Sequence, residues 1–109
     1  MTDGILWDTF SCMEVRQTDT YRKWFESIRD KQTKFRIDIR IRRVVLGNLG
    51  DVKPVGDGIS ELRLDFGPGY RIYFQQKGNW VLLLLVGGDK STQEKDILRA
   101  KQLARELED

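Results

Sequence analysis

The sequence predicts an α+β fold in which a small, mostly antiparallel sheet is covered by helices. Three observations predict it. Two stretches with helical apolar spacing follow one another early in the chain. Three strand-like stretches joined by Gly-rich turns come next, and an amphipathic helix follows them. The expected order is β-α-α-β-β-β-α, a sandwich of one sheet and its covering helices.

Met13, Val15 and Gln17 alternate with Glu14, Arg16 and Thr18, which reads as a short strand. Thr18 or Asp19 is a plausible helix N-cap. Tyr21, Trp24, Phe25 and Ile28 then fall at i, i+3, i+4 and i+7, one apolar face of a helix. Asp30 interrupts that spacing, and a second helix is expected over 31–46, with Ile37, Ile41, Val44 and Val45 inward. The two form a helical hairpin over one face of the sheet. Residues 47–58 are rich in Gly, Asn and Asp, contain Lys53-Pro54, and read as loop.

Residues 59–66 read as a strand with Ser60, Leu62, Leu64 and Phe66 on one side and Ile59, Glu61, Arg63 and Asp65 on the other. After the turn Gly67-Pro68-Gly69, residues 70–76 place Tyr70, Ile72 and Phe74 opposite Arg71, Tyr73 and Gln75. Residues 80–86 are a continuous apolar run, expected of a strand covered on both faces. Ser91-Thr92-Gln93-Glu94 has capping-box spacing, and a helix follows with Ile97, Ala100, Ala104 and Leu107 on one stripe and Leu98 and Leu103 beside it.

Composition narrows the function classes. At 109 residues the chain suits one domain. The 19 Lys and Arg against 17 Asp and Glu exclude a histone-like polycation but permit a local basic patch. No His is present, which removes the usual zinc sites, a Ser-His-Asp triad and any histidine-pair ribonuclease. The single Cys12 excludes an intramolecular disulfide framework. The longest apolar run is far too short to span a bilayer, and the N-terminus lacks a signal-peptide pattern. A small cytoplasmic protein is expected. Residues 1–12 stand apart, and two readings remain open: an extension upstream of a start at Met13, or an extra strand or lid that packs Trp7.

Five polar side chains are candidates for a site. Arg63 and Arg71 lie on neighbouring strands, each opposite its strand's larger apolar set, and Tyr73 shares the side of Arg71. Lys53 precedes the first of these strands and Lys90 follows the last. Gathered on one concave side, they would form a basic pocket with an aromatic ring, suited to an RNA phosphate and a stacked base. The alternative is a solvated face whose arginines pair with Glu61 and Asp65. Arg36, Arg40 and Arg43, with Lys34 and Arg42 nearby, form a basic helix edge that either docks on nucleic acid or is simply solvated.

Three segments in order carry a family resemblance: MEVRQT at 13, GNLGDVKPVGDGISELRLDFGPGYRIYF from 47 to 74, and LLLVGGDKSTQEKDILRAK from 83 to 101. In these the chain resembles the RelE/ParE superfamily of toxins from type II toxin–antitoxin modules, closest to the HigB-like, phage-derived addiction-module killer proteins. The resemblance spans residues 13–109, with 1–12 as an extension. It implies a microbial-RNase-like domain, ribosome-dependent mRNA cleavage, and a helix-turn-helix antitoxin of the HigA type as partner; no metal or cofactor is expected, since a basic pocket repels cations. It also implies that Lys53, Glu61, Arg63, Arg71, Tyr73 and Lys90 form the catalytic set, and the basic helix edge of Lys34, Arg36, Arg40 and Arg43 is then expected, from its spacing, to meet RNA or the ribosome.

In that set Arg63 and Arg71 grip the phosphate, Lys53 or Glu61 is the base, and Lys90 or Tyr73 supplies the proton. The chain departs from RelE-type members in having no His or aromatic residue after Lys90. The ParE branch shares the fold but inhibits DNA gyrase without cutting RNA, so gyrase inhibition is the alternative expectation. A relic that only binds its antitoxin is a third.

Overall fold

A computed structural model of the chain describes residues 13–108. The expectations for residues 1–12, Trp7 and Cys12 included, lie outside the described residues, as does Asp109. The chain forms β1 (Glu14–Gln17), α1 (Asp19–Ser27), α2 (Lys31–Val45), β2 (Val52–Gly56), β3 (Ile59–Arg63), β4 (Tyr70–Lys77) and β5 (Val81–Asp89). A short 3-10 turn (Lys90–Thr92) then leads into α3 (Gln93–Glu106). The fold is α+β, and among the described residues five strands make one sheet in the order β1-β5-β4-β3-β2. Only the β1–β5 pair is parallel. No helix among the described residues is long and apolar enough to cross a membrane.

The helix starts follow from capping. Thr18 Oγ1 accepts the Tyr21 N–H at 3.0 Å and donates to the Leu85 carbonyl at 2.6 Å, so one hydroxyl both caps α1 and ties it to β5. Asp30 caps α2 through the Gln32 N–H. The capping expectation at 91–94 is corrected. The capping box joins Asp89 and Thr92 around the 3-10 turn, and Thr92 makes no side-chain cap to α3. Its hydroxyl donates to the Asp96 carboxylate instead.

A second correction concerns 47–58, where an edge strand, β2, replaces the expected loop. Asp57 and Gly58 both have positive φ, which is a two-residue hairpin turn of type I′. Pro54 is tolerated because β2 lies at the sheet edge, where a missing N–H breaks no interior ladder.

The sheet has a core on each side. Tyr21, Ile37, Ile41 and Val44 from α1 and α2 pack on Leu62, Leu64, Ile72, Phe74, Leu82 and Leu84. Ala100, Leu103 and Ala104 from α3 pack on Ile59, Tyr73, Leu83, Leu85 and Val86. Leu98 of α3 and Leu107 at its C-cap are exposed, so the inward stripe is narrower than its spacing suggested.

A bulge lets β5 serve both cores. Tyr73 pairs with Val86 and Phe74 with Leu84, leaving Leu85 as the extra residue. Leu85 and Val86 therefore both face α3, and the residues beyond them change sides. That places Gly87 under the Trp24 ring of α1 and Gly88 under the Asp96 carboxylate of α3. A Cβ at either position would overlap those groups.

Gly87→Ala and Gly88→Ala are each expected to destabilise the fold by about 1–3 kcal/mol through overpacking. Urea unfolding measures this, and a loss below about 0.5 kcal/mol would show that Trp24 and Asp96 yield freely.

Candidate functional site

Strand register brings most of the candidate residues onto the α3 side of the sheet. Lys53 lies opposite Glu61, and Glu61 opposite Tyr73. One rung further, Arg63 lies opposite Arg71, and Arg71 opposite Gly88. Opposed residues share a face, so these five side chains start from one surface.

Glu61 organises that surface from beneath. It has no solvent exposure. Its Oε1 accepts from Arg63 Nε at 2.9 Å, and its Oε2 accepts from the Tyr73 hydroxyl at 2.9 Å and Gln93 Nε2 at 2.6 Å. Burial alone would raise the Glu61 pKa, but the hydrogen bonds from Arg63, Gln93 and Tyr73 outweigh it and hold the carboxyl below its usual value. Tyr73 is pushed the other way, by burial first and then by its bond to the carboxylate. Two expected roles are thereby corrected. Glu61 faces no solvent and is already saturated with donors, so it is not placed to take a proton from a substrate. Tyr73 is wholly buried, so its ring cannot stack on a base and its hydroxyl is committed to Glu61.

The exposed layer is a cationic cleft. Arg63, Arg71 and Lys90 line a cavity of about 490 Å³ together with Asp51, Asp65 and the Gly67-Pro68-Gly69 turn. Arg71 Nη1 donates to the Gly69 and Tyr70 carbonyls at 3.1 and 3.2 Å, and its buried Nε has no partner among the described residues. Gly69, at positive φ, brings the turn against the Lys90 side chain, so the lysine stem is packed at the cavity wall. Arg63 uses Nε on Glu61, and its Nη groups make no hydrogen bond among the described residues. Like charges directly opposite on adjacent strands disfavour each other. Glu61 compensates Arg63, while Arg71 has no carboxylate partner among the described residues.

A second cleft, of about 310 Å³, shares Arg63, Leu64 and Asp65 with the first and is walled by Arg36, Arg40 and Arg43 of α2. The basic helix edge therefore adjoins the Arg63 site. Arg36 stacks on Phe66, its guanidinium carbon 3.8 Å from the ring centroid. Arg40 reaches the Asn48 and Leu49 carbonyls and so closes the loop after α2. Lys34 lies apart from this group, over the Phe25 ring at 5.5 Å. Lys53 is exposed on β2 and lines neither cleft.

Sequence reading missed Gln93, which meets Glu61 only through the docking of α3. It also missed Asp96, a buried acid whose pKa burial pushes up, in spite of the hydrogen bond from Thr92. Among the described residues no three Cys, Asp or Glu side chains converge as metal ligands would.

No family model matches the chain. It is 46% identical over 95 residues to an uncharacterized protein of Haemophilus influenzae, an alignment covering 87% of this chain and 96% of that protein.

Glu61→Gln is expected to lower stability near neutral pH by about 2–3 kcal/mol, because the buried donors lose their anion. The sign with pH follows from the depressed carboxyl. Its contribution is present above the unfolded glutamate pKa and is lost as pH falls through the lower folded value. Stability should therefore drop more steeply on acidification below about pH 4.5 in the wild type than in the variant. Urea titrations at several pH values check this, and parallel curves would rule it out.

Proposed function

This chain belongs to one family with the Haemophilus influenzae protein, and we propose that it acts on RNA, as the toxin of a type II toxin–antitoxin module that cleaves mRNA on the ribosome. One observation carries the reading. Arg63 and Arg71 sit face to face with Lys90 at their side in an open cleft, and Arg71 has no carboxylate partner among the described residues. A phosphate diester is the ligand that relieves this arrangement. A guanidinium grips two of its oxygens at once, and stays charged at any working pH. The RelE/ParE resemblance of the surrounding segments supplies the reaction and the setting: the cytoplasm, with a helix-turn-helix antitoxin as partner.

In the proposed step the ribose 2′ oxygen attacks the adjacent phosphorus in line. The new O–P bond forms as the bond to the 5′ oxygen breaks, giving a 2′,3′-cyclic phosphate and a 5′ hydroxyl. Arg63 and Arg71 bind the non-bridging oxygens and stabilise their added charge. With Tyr73 and Glu61 committed below the surface, Lys90 protonates the departing 5′ oxygen. The 2′ proton passes to Lys53 on the neighbouring rung or to water. Each proton transfer contributes about 10²–10⁴-fold. The remainder comes from alignment of the mRNA by the ribosome, a proximity effect. Arg36 and Arg43, in the adjoining cleft that shares Arg63, hold flanking phosphates.

Induction of the chain without its antitoxin is expected to arrest growth and to create new RNA 5′ ends in phase with codons, within translated regions. Arg71→Ala should remove both effects at equal expression, with a drop in cleavage of about 10²–10³-fold. Growth arrest with unchanged RNA ends would reject the nuclease reading and favour gyrase inhibition.

A further inference from the structure

We propose that Gln93 is a positioning residue: its side-chain amide fixes the plane of the Glu61 carboxylate and thereby aims the Arg63 guanidinium into the cleft. The identity of the anion that Arg63 meets rests on the RNA reading; the Gln93–Glu61–Arg63 relay does not. Two of the three donors to Glu61 belong to the sheet itself, Arg63 on β3 and Tyr73 on β4. Gln93 alone comes from another layer, as the first residue of α3.

The terminal torsion of a glutamate is broad and roughly twofold, so the carboxylate plane is set by its partners. Here Arg63 holds one oxygen, while Gln93 and Tyr73 hold the other. Removing Gln93 leaves Oε2 on the Tyr73 hydroxyl alone, the longer of its two bonds, so the carboxylate plane tilts toward Tyr73. Arg63 Nε follows it, and the two Nη groups lose their aim.

The choice of an amide is also informative. A lysine at this position would neutralise Glu61 and compete with Arg63 for it, and a carboxylate would repel Glu61. A neutral donor binds the anion and leaves its charge for Arg63. Gln93 directly follows the turn that carries Lys90, so a single segment places Lys90 at the cleft and orients Arg63 from below.

The test follows two readouts in Gln93→Ala, Gln93→Glu and the exposed control Gln102→Ala. The first is the Arg63 Nε–H signal in a proton–nitrogen spectrum, assigned by its loss in Arg63→Lys. The second is affinity for a fluorescent RNA hexanucleotide carrying 2′-O-methyl groups, which cannot be cleaved. Gln93→Ala should shift or broaden the Arg63 signal and weaken binding about tenfold or more. Gln102→Ala should change neither.

Gln93→Glu should bind weakly near neutral pH and recover as pH falls from about 8 to about 5, when the paired carboxyls share a proton. The charged and titratable groups around that pair are Arg63, Tyr73, Lys53 on the opposing strand, and Asp96 and Arg71 near Tyr73. Wild type should lack that recovery, which a purely structural defect would not produce. An unchanged Arg63 signal in Gln93→Ala, or a loss in Gln93→Glu that does not respond to pH, would overturn the proposal. A wild type that binds no RNA while the Arg63 signal still depends on Gln93 would overturn the RNA reading and uphold the relay.

Discussion

A carboxylate without access to water must be met by donors or must give up its charge. Glu61 is met by three, and each comes from a different element: β3, β4 and α3. This one requirement explains several features at once. It explains why a tyrosine phenol is buried on the α3 face of the sheet, and why α3 begins with a glutamine. It also explains why Arg63 presents its Nη groups outward rather than its Nε. The arrangement is a weak source of net stability, since desolvation cancels much of the attraction. Its effect is on geometry. It converts a flexible surface arginine into one with a fixed direction.

The strand that makes this possible is β5. It lies between β1 and β4, is covered on both faces, and changes which side its residues face through the bulge at Leu85. Past the bulge it carries two glycines, so that α1 can seat Trp24 on one side and α3 can seat Asp96 on the other. Close seating of α3 at this end sets the position of Gln93 relative to Glu61. On the opposite face, Tyr21, Trp24, Tyr70 and Phe66 form a chain of ring contacts that ends under Arg36. The Gly67-Pro68-Gly69 turn is thus held between an aromatic row on one side and Lys90 on the other.

Much of the fold was legible because burial follows period. The apolar faces of α1 and α2 and the two sides of β3 and β4 came directly from spacing. So did the shared face of Arg63 and Arg71. Edge strand β2 was hidden by Pro54, which argues against a strand anywhere but at an edge, although Asp57-Gly58 carried a hairpin signal. The depth of Glu61 was hidden for a different reason. A charged residue alternating with leucines reads as solvent-facing, and only the packing of α3 reverses that. Gln93 gave no local signal at all, because a polar residue in a first helical turn is ordinary and its partner lies 32 positions away. Tyr73 was placed on the correct face, but the period cannot say whether that face is wet.

The distinction between wet and dry on the α3 side of the sheet decides how the candidate residues divide. At the Glu61–Tyr73 pair, α3 covers the middle of the sheet, and the polar atoms of Glu61, Tyr73 and Gln93 satisfy one another, with Lys53 exposed at the edge. At the Arg63–Arg71 rung, Asp96 of α3 covers Gly88 of β5, while Arg63, Arg71 and the Gly67-Pro68-Gly69 turn border an open cleft. On the open rung Arg63 is paired with Glu61, whereas Arg71 faces Arg63 with its guanidinium held by backbone carbonyls, which orient it without neutralising it. A fold selected only for stability would place a carboxylate or a neutral residue opposite Arg63. Two oriented guanidiniums side by side, one anchored on Glu61 from below and one on backbone carbonyls, repel each other less when an anion lies between them, and the fork of each donates to two of its oxygens at once.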